Sequence, residues 1–509
     1  MTSIYKTAMW MTVLIMVSKL LGFVREVFFA SFFGATYIAD AYFMANSVAT
    51  IIIGGIFATF ATSYMPIYSD IYKKQGKKSA QILTNNLINM ILLISIGISL
   101  LGAIFAREVV YIIAPGFVEE KLILTVYYVR IVFFTISMTA VIGIFNSYLQ
   151  YHDRFILQII AGFAFNIVMF IVIIISKSYV KFLAWGLLIA YIVQLINVLF
   201  VAKKSGYRHT LYLNFRDSNI KKLIFITIPI FISTFAAQLN SFIDRMLASR
   251  LEEGSIAALN YGNQISFVVY TILTIAITTI IYPLFSKQIS SNDVKAMETS
   301  VAKSLYFVII LLVPVSIGIM ILREPIIQII YQRGVFDESA AQMTSITLFY
   351  FGIGIVGMGI RDVLGRAFFA LSDTKTPMIN GIISMVINVV LNLILIDRMG
   401  IAGLALSTSI ASLGAALLLI FIFYIKVKSK AYKHILDTFI KVIIASLIMG
   451  TCVYFMNDLF INLSNNILLR IIHLLVVSLI GASIYYLLIY FAKVKDIGMV
   501  KEIIRRKNK

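Results

Sequence analysis

A single cysteine, Cys452, in a chain of 509 residues excludes an intrachain disulfide framework and a thiolate metal site built within one chain. Histidine is equally scarce: His152, His209, His434 and His473 are scattered and form no ligand cluster. Charged residues make up only 13% of the chain, against about a quarter in a soluble protein. Seven prolines leave long stretches without a helix breaker. No nucleotide-binding loop, metal motif or carboxylate pair in a hydrophilic domain is present, and no soluble segment is large enough for an ATPase. Catalysis and ATP-driven work are therefore not expected, and energy for any transport must come from an ion or voltage gradient. Acidic side chains are the scarcer sign, 23 against 43 basic, giving a net charge of +20. The basic residues sit between apolar runs rather than on one face, so they read as membrane-surface charge and no nucleic-acid partner is needed.

What the sequence has in abundance is apolar length. It is 61% hydrophobic with mean hydropathy +0.96, and runs of about 20 apolar residues recur from end to end. The expected fold is an all-α polytopic membrane protein with about 14 spans. Their extents are 7–33, 37–65, 84–106, 122–149, 156–176, 182–202, 223–250, 256–285, 302–322, 342–370, 377–397, 401–425, 436–456 and 467–492. The first span has a weak basic lead, Lys6 only, and no small-residue cleavage site, so it reads as retained rather than as a signal peptide. With the N-terminus cytoplasmic, one side collects about 27 basic residues and the other about 8, which predicts both termini inside.

The longest hydrophilic connection within the first twelve spans, 203–222, divides them into two sets of six. Each set has a long second helix ending in proline and a polar stretch (SYMPIYSDIYKK, 63–74; IIYPLFSKQIS, 280–290). Each then has an outer loop with glycine beside acids (APGFVEE, 114–120; RGVFDES, 333–339). Each closes its fourth helix in a small polar turn (FNSYLQYHDRF, 145–155; GRAFFALSDTKTP, 365–377). Six is even, so the copies run parallel, as in an alternating-access transporter with a central cavity. The expected division is an N-lobe 1–202, a cytoplasmic linker 203–222, a C-lobe 223–425, and a region 426–509 holding a final helix pair and a basic tail.

Charges inside spans single out candidate residues. The stretch SKLLGFVREVFFASFFGATYIAD (18–40) places Lys19, Arg25, Glu26 and Asp40 where each costs at least about 2.5 kcal/mol, so each needs a partner, a wet cavity or a substrate. Adjacent helical residues point about 100° apart, so Arg25 and Glu26 do not share a face. The functional reading is a charged cavity around Arg25; the structural one is an ion pair that holds helices together. Asp244, Asn388, Asn392 and Thr408 are oxygen donors suited to a hard cation, which suggests a Na⁺ or H⁺ coupling site, with an Asp244–Arg pair as the rival. The other amides of spans 7 and 8, Gln238, Asn240, Asn260, Asn263 and Gln264, read as interhelical glue. Arg361, Asp362 and Arg366 read as pairing or snorkelling near the inner interface.

SKLLGFVRE (18–26) with FFGATYIADAYFMA (32–45), DRMLASRLEEGSIAALNYGNQISF (244–267) and LSDTKTP (371–377) resemble the MurJ/MviN family of lipid II flippases, within the multidrug/oligosaccharidyl-lipid/polysaccharide exporter superfamily. The resemblance implies fourteen helices, a cationic cavity for the pyrophosphate headgroup, and a groove at the last helix pair for the undecaprenyl tail. It gives Arg25 and Lys19 the pyrophosphate, Glu26 and Asp40 the family's acidic positions, and Asp244, Asn388, Asn392 and Thr408 its sodium site, with Asn392 replacing an acid. Gly54, Gly55, Thr59 and Gln264 stand where other members carry charge.

The expected function is therefore a lipid II flippase of the bacterial plasma membrane, not an enzyme. No cofactor is expected beyond Na⁺ as coupling ion. The expected partners are lipid II and membrane lipids, and the expected state is a monomer. The alternatives are an exporter of another lipid-linked oligosaccharide and, from a different class, a polyprenyl-dependent glycosyltransferase or ligase.

Overall fold

Apolar sequence with few breakers folds as helix because a bilayer leaves every backbone group to be satisfied within its own segment. The computed structural model describes residues 2–49, 54–427, 435–460 and 466–494, and among them there is no strand. Part of the second expected span (50–53), most of the 426–434 basic run and the tail from 495 lie outside the described residues. The chain forms two compact units: Met1–Ala257 with Gly334–Phe336, and Ala258–Arg333 with Asp337–Lys509.

The first unit holds α1 (Thr2–Phe33), α2 (Tyr37–Ser47), α3 (Gly54–Ile104), α4 (Ala106–Ile113), α5 (Glu119–Val132), α6 (Thr135–Tyr151), α7 (Phe155–Ser176), α8 (Phe182–Lys204) and α9 (Ser218–Ala248). The second holds most of α10 (Ser255–Ser290), then α11 (Val294–Ile321), α12 (Arg323–Ile330), α13 (Glu338–Ala370), α14 (Lys375–Met399), α15 (Ile401–Val427), α16 (Ile435–Phe460) and α17 (Ile467–Phe491). Among the described residues nine helices are long and apolar enough to cross a bilayer, or ten if α5 and α6, bent by 41°, count as one span. Three further helices, α1, α9 and α10, of 32, 31 and 36 residues, occupy the first, seventh and eighth expected positions. This is a multi-pass membrane protein.

Two sequence expectations change. The polar stretch after the second span reads as a loop, yet α3 continues through it as helix and breaks only at Gly76, whose φ is +83°. Lys, Gln and Ala in KKQGKKSAQ are strong helix formers, and polarity marks only where the helix leaves lipid. The fourth span is likewise two helices meeting at Phe133–Phe134.

The order of elements recurs. An eight-residue helix, α4 or α12, precedes each glycine-bearing loop. The two polar turns that close the fourth helices have the same geometry. Asp153 (φ +57°) and Ser372 (φ +59°) are left-handed. The following amides reach back five residues, Arg154 N–H to Leu149 O at 2.8 Å and Asp373 N–H to Phe368 O at 2.9 Å. In the second unit the glycines of GIGIVGMGI let α13 approach its neighbours closely: Ser409 Oγ of α15 donates to Tyr350 O at 2.6 Å, and a Cβ on Gly357 would meet the Ser412 backbone at 2.8 Å.

Candidate functional site

At one end of the first unit, four turns interlock: 34–36, 114–118, 249–254 and 334–336. Val335 N–H donates to Ser31 O at 2.9 Å and Tyr37 N–H to Glu253 Oε1 at 2.8 Å. The turns touch through glycine. Gly254 has φ +86°, and a Cβ there would stand 2.1 Å from Ala35 O. This left-handed backbone costs other L-residues roughly 1–2 kcal/mol before the clash is counted. Two of them, 114–118 and 334–336, fall in the repeated glycine-bearing loops expected from the sequence on the outer side.

Asp40 sits beneath this cluster, fully buried. Its Oδ2 accepts from Lys121 Nζ at 2.5 Å and from Gly254 N–H at 2.8 Å, while Oδ1 accepts from Ala257 N–H at 2.9 Å. The carboxylate thus caps the N-terminus of α10, where free N–H groups and the helix dipole favour a negative charge. Sequence reasoning missed Lys121 as the partner; its only local signal is a cation one residue after Glu119 and Glu120, at the start of an apolar run.

Arg25 and Glu26 are successive residues of α1, about 100° apart, and the charges of both act on the Tyr42 hydroxyl. The half-buried Arg25 guanidinium lies 5.3 Å from the ring centroid of Phe165 on α7. Its charge also acts on the Tyr42 and Tyr191 hydroxyls. Among the described residues no carboxylate forms an ion pair with it. The Glu26 charge acts on Arg245 of α9, as does that of neighbouring Asp244, and Arg245 Nη1 donates to Ser47 Oγ. Lys19 is exposed, six residues before Arg25 and so about 9 Å along the helix and off its face. Sequence reasoning did not single out Phe165, Tyr42 or Tyr191, because aromatic residues in spans carry no positional signal.

In the second unit, Asn392 Nδ2 donates to Asn388 Oδ1 at 2.9 Å, Asn388 Nδ2 donates to Thr408 Oγ1 at 3.0 Å, and the Thr408 hydroxyl donates to Leu404 O at 3.2 Å. This chain turns an amide donor, not an oxygen, toward Thr408. It fits a cation only with the Asn388 amide turned over. Asp362 accepts from Tyr270 Oη at 2.9 Å and lies 3.8 Å from Arg366, so that charged cluster is paired within its own unit.

The family described as "Lipid II flippase MurJ" matches residues 29–474. This chain belongs to that family. A relative from Rickettsia prowazekii, "Probable lipid II flippase MurJ", is 30% identical over 426 residues, covering 81% of this chain and 82% of the relative. Another of the same name, from Rhizobium tropici, is 24% identical and covers 96% and 94%. The solved structure titled "Lipid II flippase MurJ, inward closed conformation" superposes with a TM-score of 0.79 at 25% identity, covering 94% of this chain and 99% of that one. An inward-facing multidrug resistance transporter of the MATE family, TM-score 0.70 at 12% identity, covers 81% of this chain and 94% of its own and shares the fold.

Proposed function

We propose that this protein moves lipid II, an undecaprenyl-pyrophosphate-linked peptidoglycan precursor, from the inner to the outer leaflet of a bacterial plasma membrane by alternating access. Both termini are placed in the cytoplasm by the charge bias of the loops. The observation that carries the reading is the partnering of Arg25. Asp40 is taken by Lys121 and two backbone amides, the Glu26 charge acts on Arg245, and among the described residues no carboxylate forms an ion pair with Arg25. A guanidinium held on an aromatic ring inside a span suits a pyrophosphate, which it can bind in bidentate fashion in a low dielectric. Lys19 supplies a second cation for the same headgroup as it enters. In this reading the interlocked turns and Asp40 lie on the outer side of the first unit.

Na⁺ is the proposed coupling ion, with the Asn388 amide turned so that its oxygen and that of Thr408 face the cation. Replacing Na⁺ by K⁺ on both sides of the membrane should then slow flipping.

The test is replacement of an essential lipid II flippase in a depleted host, reading lipid II exposed on the outer leaflet, with Arg25→Ala alongside. Restored flipping that is lost in Arg25→Ala supports the assignment. Undiminished flipping by a well-inserted Arg25→Ala protein removes Arg25 from the site, and no flipping by the unaltered chain removes lipid II as substrate.

A further inference from the structure

The segment joining α8 to α9 is a strap fastened along α3. From Tyr207 to Asn214 it carries no helix, and four amides on one side of α3 hold its backbone. Gln81 Nε2 donates to Gly206 O at 2.6 Å, Asn85 Nδ2 to Arg208 O at 3.1 Å, and Asn89 Nδ2 to both Thr210 O at 3.1 Å and Tyr212 O at 3.0 Å. Asn86 and Asn214 exchange two further bonds of 3.0 and 2.8 Å, and Tyr207 Oη donates to Asn85 Oδ1 at 2.6 Å. Carbonyls of alternate residues, 206 through 214, thus face α3, which is the two-residue period of extended chain.

That period also sorts the side chains. Leu211 and Leu213 fall on one face and Phe215 follows in the next turn; they are 94%, 49% and 50% exposed. Large apolar side chains on an extended segment this firmly held are displayed rather than left on a loose loop, and they need an apolar neighbour. Basic residues bracket them: Lys203 and Lys204 end α8, Arg208 and Arg216 lie on the strap, and Lys221 and Lys222 begin α9. The single acid among them, Asp217, is spent capping α9 through Asn219 N–H at 2.8 Å. The strap joins two helices of a membrane-spanning chain at their ends, so it lies at the level of a bilayer surface. The apolar display continues onto the first turns of α9 with Phe225, 78% exposed.

We propose that residues 205–217 form an interfacial anchor, with Leu211, Leu213 and Phe215 inserted among the acyl chains of the adjacent leaflet and the flanking lysines and arginines bound to anionic phospholipid headgroups. Apolar insertion combined with basic flanks is the chemistry of monotopic attachment to an anionic membrane. Through the amides of Gln81, Asn85, Asn86 and Asn89, it ties α3 to the leaflet. The inference requires only a membrane-spanning chain and does not depend on lipid II being the substrate.

The test uses the full chain with Cys452→Ala, carrying a nitroxide at Leu211→Cys or Leu213→Cys, with Lys295→Cys as an exposed control and circular dichroism as a check of folding. Collision rates with oxygen and with a water-soluble nickel chelate are compared in phosphatidylcholine bilayers with and without one-third phosphatidylglycerol. The expected result is oxygen exceeding nickel severalfold at 211 and 213 with phosphatidylglycerol present, the reverse at 295, and a ratio at least twofold lower in phosphatidylcholine alone. Nickel exceeding oxygen at 211 and 213 in the anionic bilayer overturns the anchor, and a ratio indifferent to lipid charge overturns the headgroup contact.

Discussion

The Asp40–Lys121 pair is the place where the structure makes its most quantitative demand. The Asp40 side chain is 0% exposed and that of Lys121 15%, with 2.5 Å between Oδ2 and Nζ. Asp40→Ala strands the ammonium in a nearly dry site, and breaking a buried pair from one side costs about 3–5 kcal/mol. It also orphans the Gly254 and Ala257 amides, each worth about 1–3 kcal/mol if no water reaches it. Because Lys121 can swing toward the surface and water can enter, the sum overstates the loss; about 4 kcal/mol is expected, which for a unit of this size lowers Tm by about 8 °C or more. Lys121→Met should cost less, about 2 kcal/mol, since the carboxylate keeps both amides and the dipole of α10. The double variant Asp40→Ala with Lys121→Met isolates the pair: its loss should fall short of the summed single losses by about 2 kcal/mol. Scanning fluorimetry of detergent-solubilised protein at one fixed scan rate reads the shifts on a common scale. Single losses that simply add, or an Asp40→Ala protein that melts with the unaltered one, would refute the reasoning.

Two further outcomes follow from local geometry. Burial alone would raise the Asp373 carboxyl, but the Lys426 ammonium and the backbone N–H and hydroxyl of Thr376 outweigh it and hold the group at about 2. A depressed folded value means that the stabilisation, about 2 kcal/mol, is complete above the unfolded value near 4 and is lost as pH falls toward 2. Thermal scans between pH 5 and 2 should show this loss, and Asp373→Asn should remove that part of the pH dependence. Glycine substitutions should split by environment. Gly254→Ala, at positive φ and 2.1 Å from Ala35 O, should abolish stable folding, whereas Gly381→Ala, in α14 with no atom within 4 Å of the added carbon, should raise stability by up to about 1 kcal/mol. Similar melting of the two variants would contradict the packing of the turns.

Hydropathy made the helices legible, because apolar length is a local property and lipid tolerates no other backbone. The same measure misplaced the end of α3, since it reports where lipid stops and not where helix stops. The glycine turns at 114–120 and 333–339 were legible as repeated loops. Their interlocking, Val335 N–H on Ser31 O and Gly116 N–H on Ser249 Oγ at 3.4 Å, was not, because contacts between distant turns have no period. The strap was visible only as a hydrophilic boundary, although Gln81, Asn85 and Asn89 already lie at a four-residue spacing on one face of α3. An amide ladder at that spacing, read as a row of donors, predicts an extended partner before any coordinates are known.

The charges placed inside spans divide by what answers them. Asp40 meets an ammonium and a helix terminus, Asp362 meets Tyr270 and Arg366, and the charges of Glu26 and Asp244 act on Arg245. Each of these arrangements offsets its own desolvation and needs nothing from outside the protein. Among the described residues Arg25 differs: a ring 5.3 Å away lowers its cost by about 0.5–2 kcal/mol, and no carboxylate forms an ion pair with it. From sequence alone both the functional and the structural reading of these residues stay open, since both put charge in a span. Partner assignment distinguishes them: among the described residues the acids are answered within the protein while no carboxylate forms an ion pair with Arg25, the difference on which the proposed role of this residue rests.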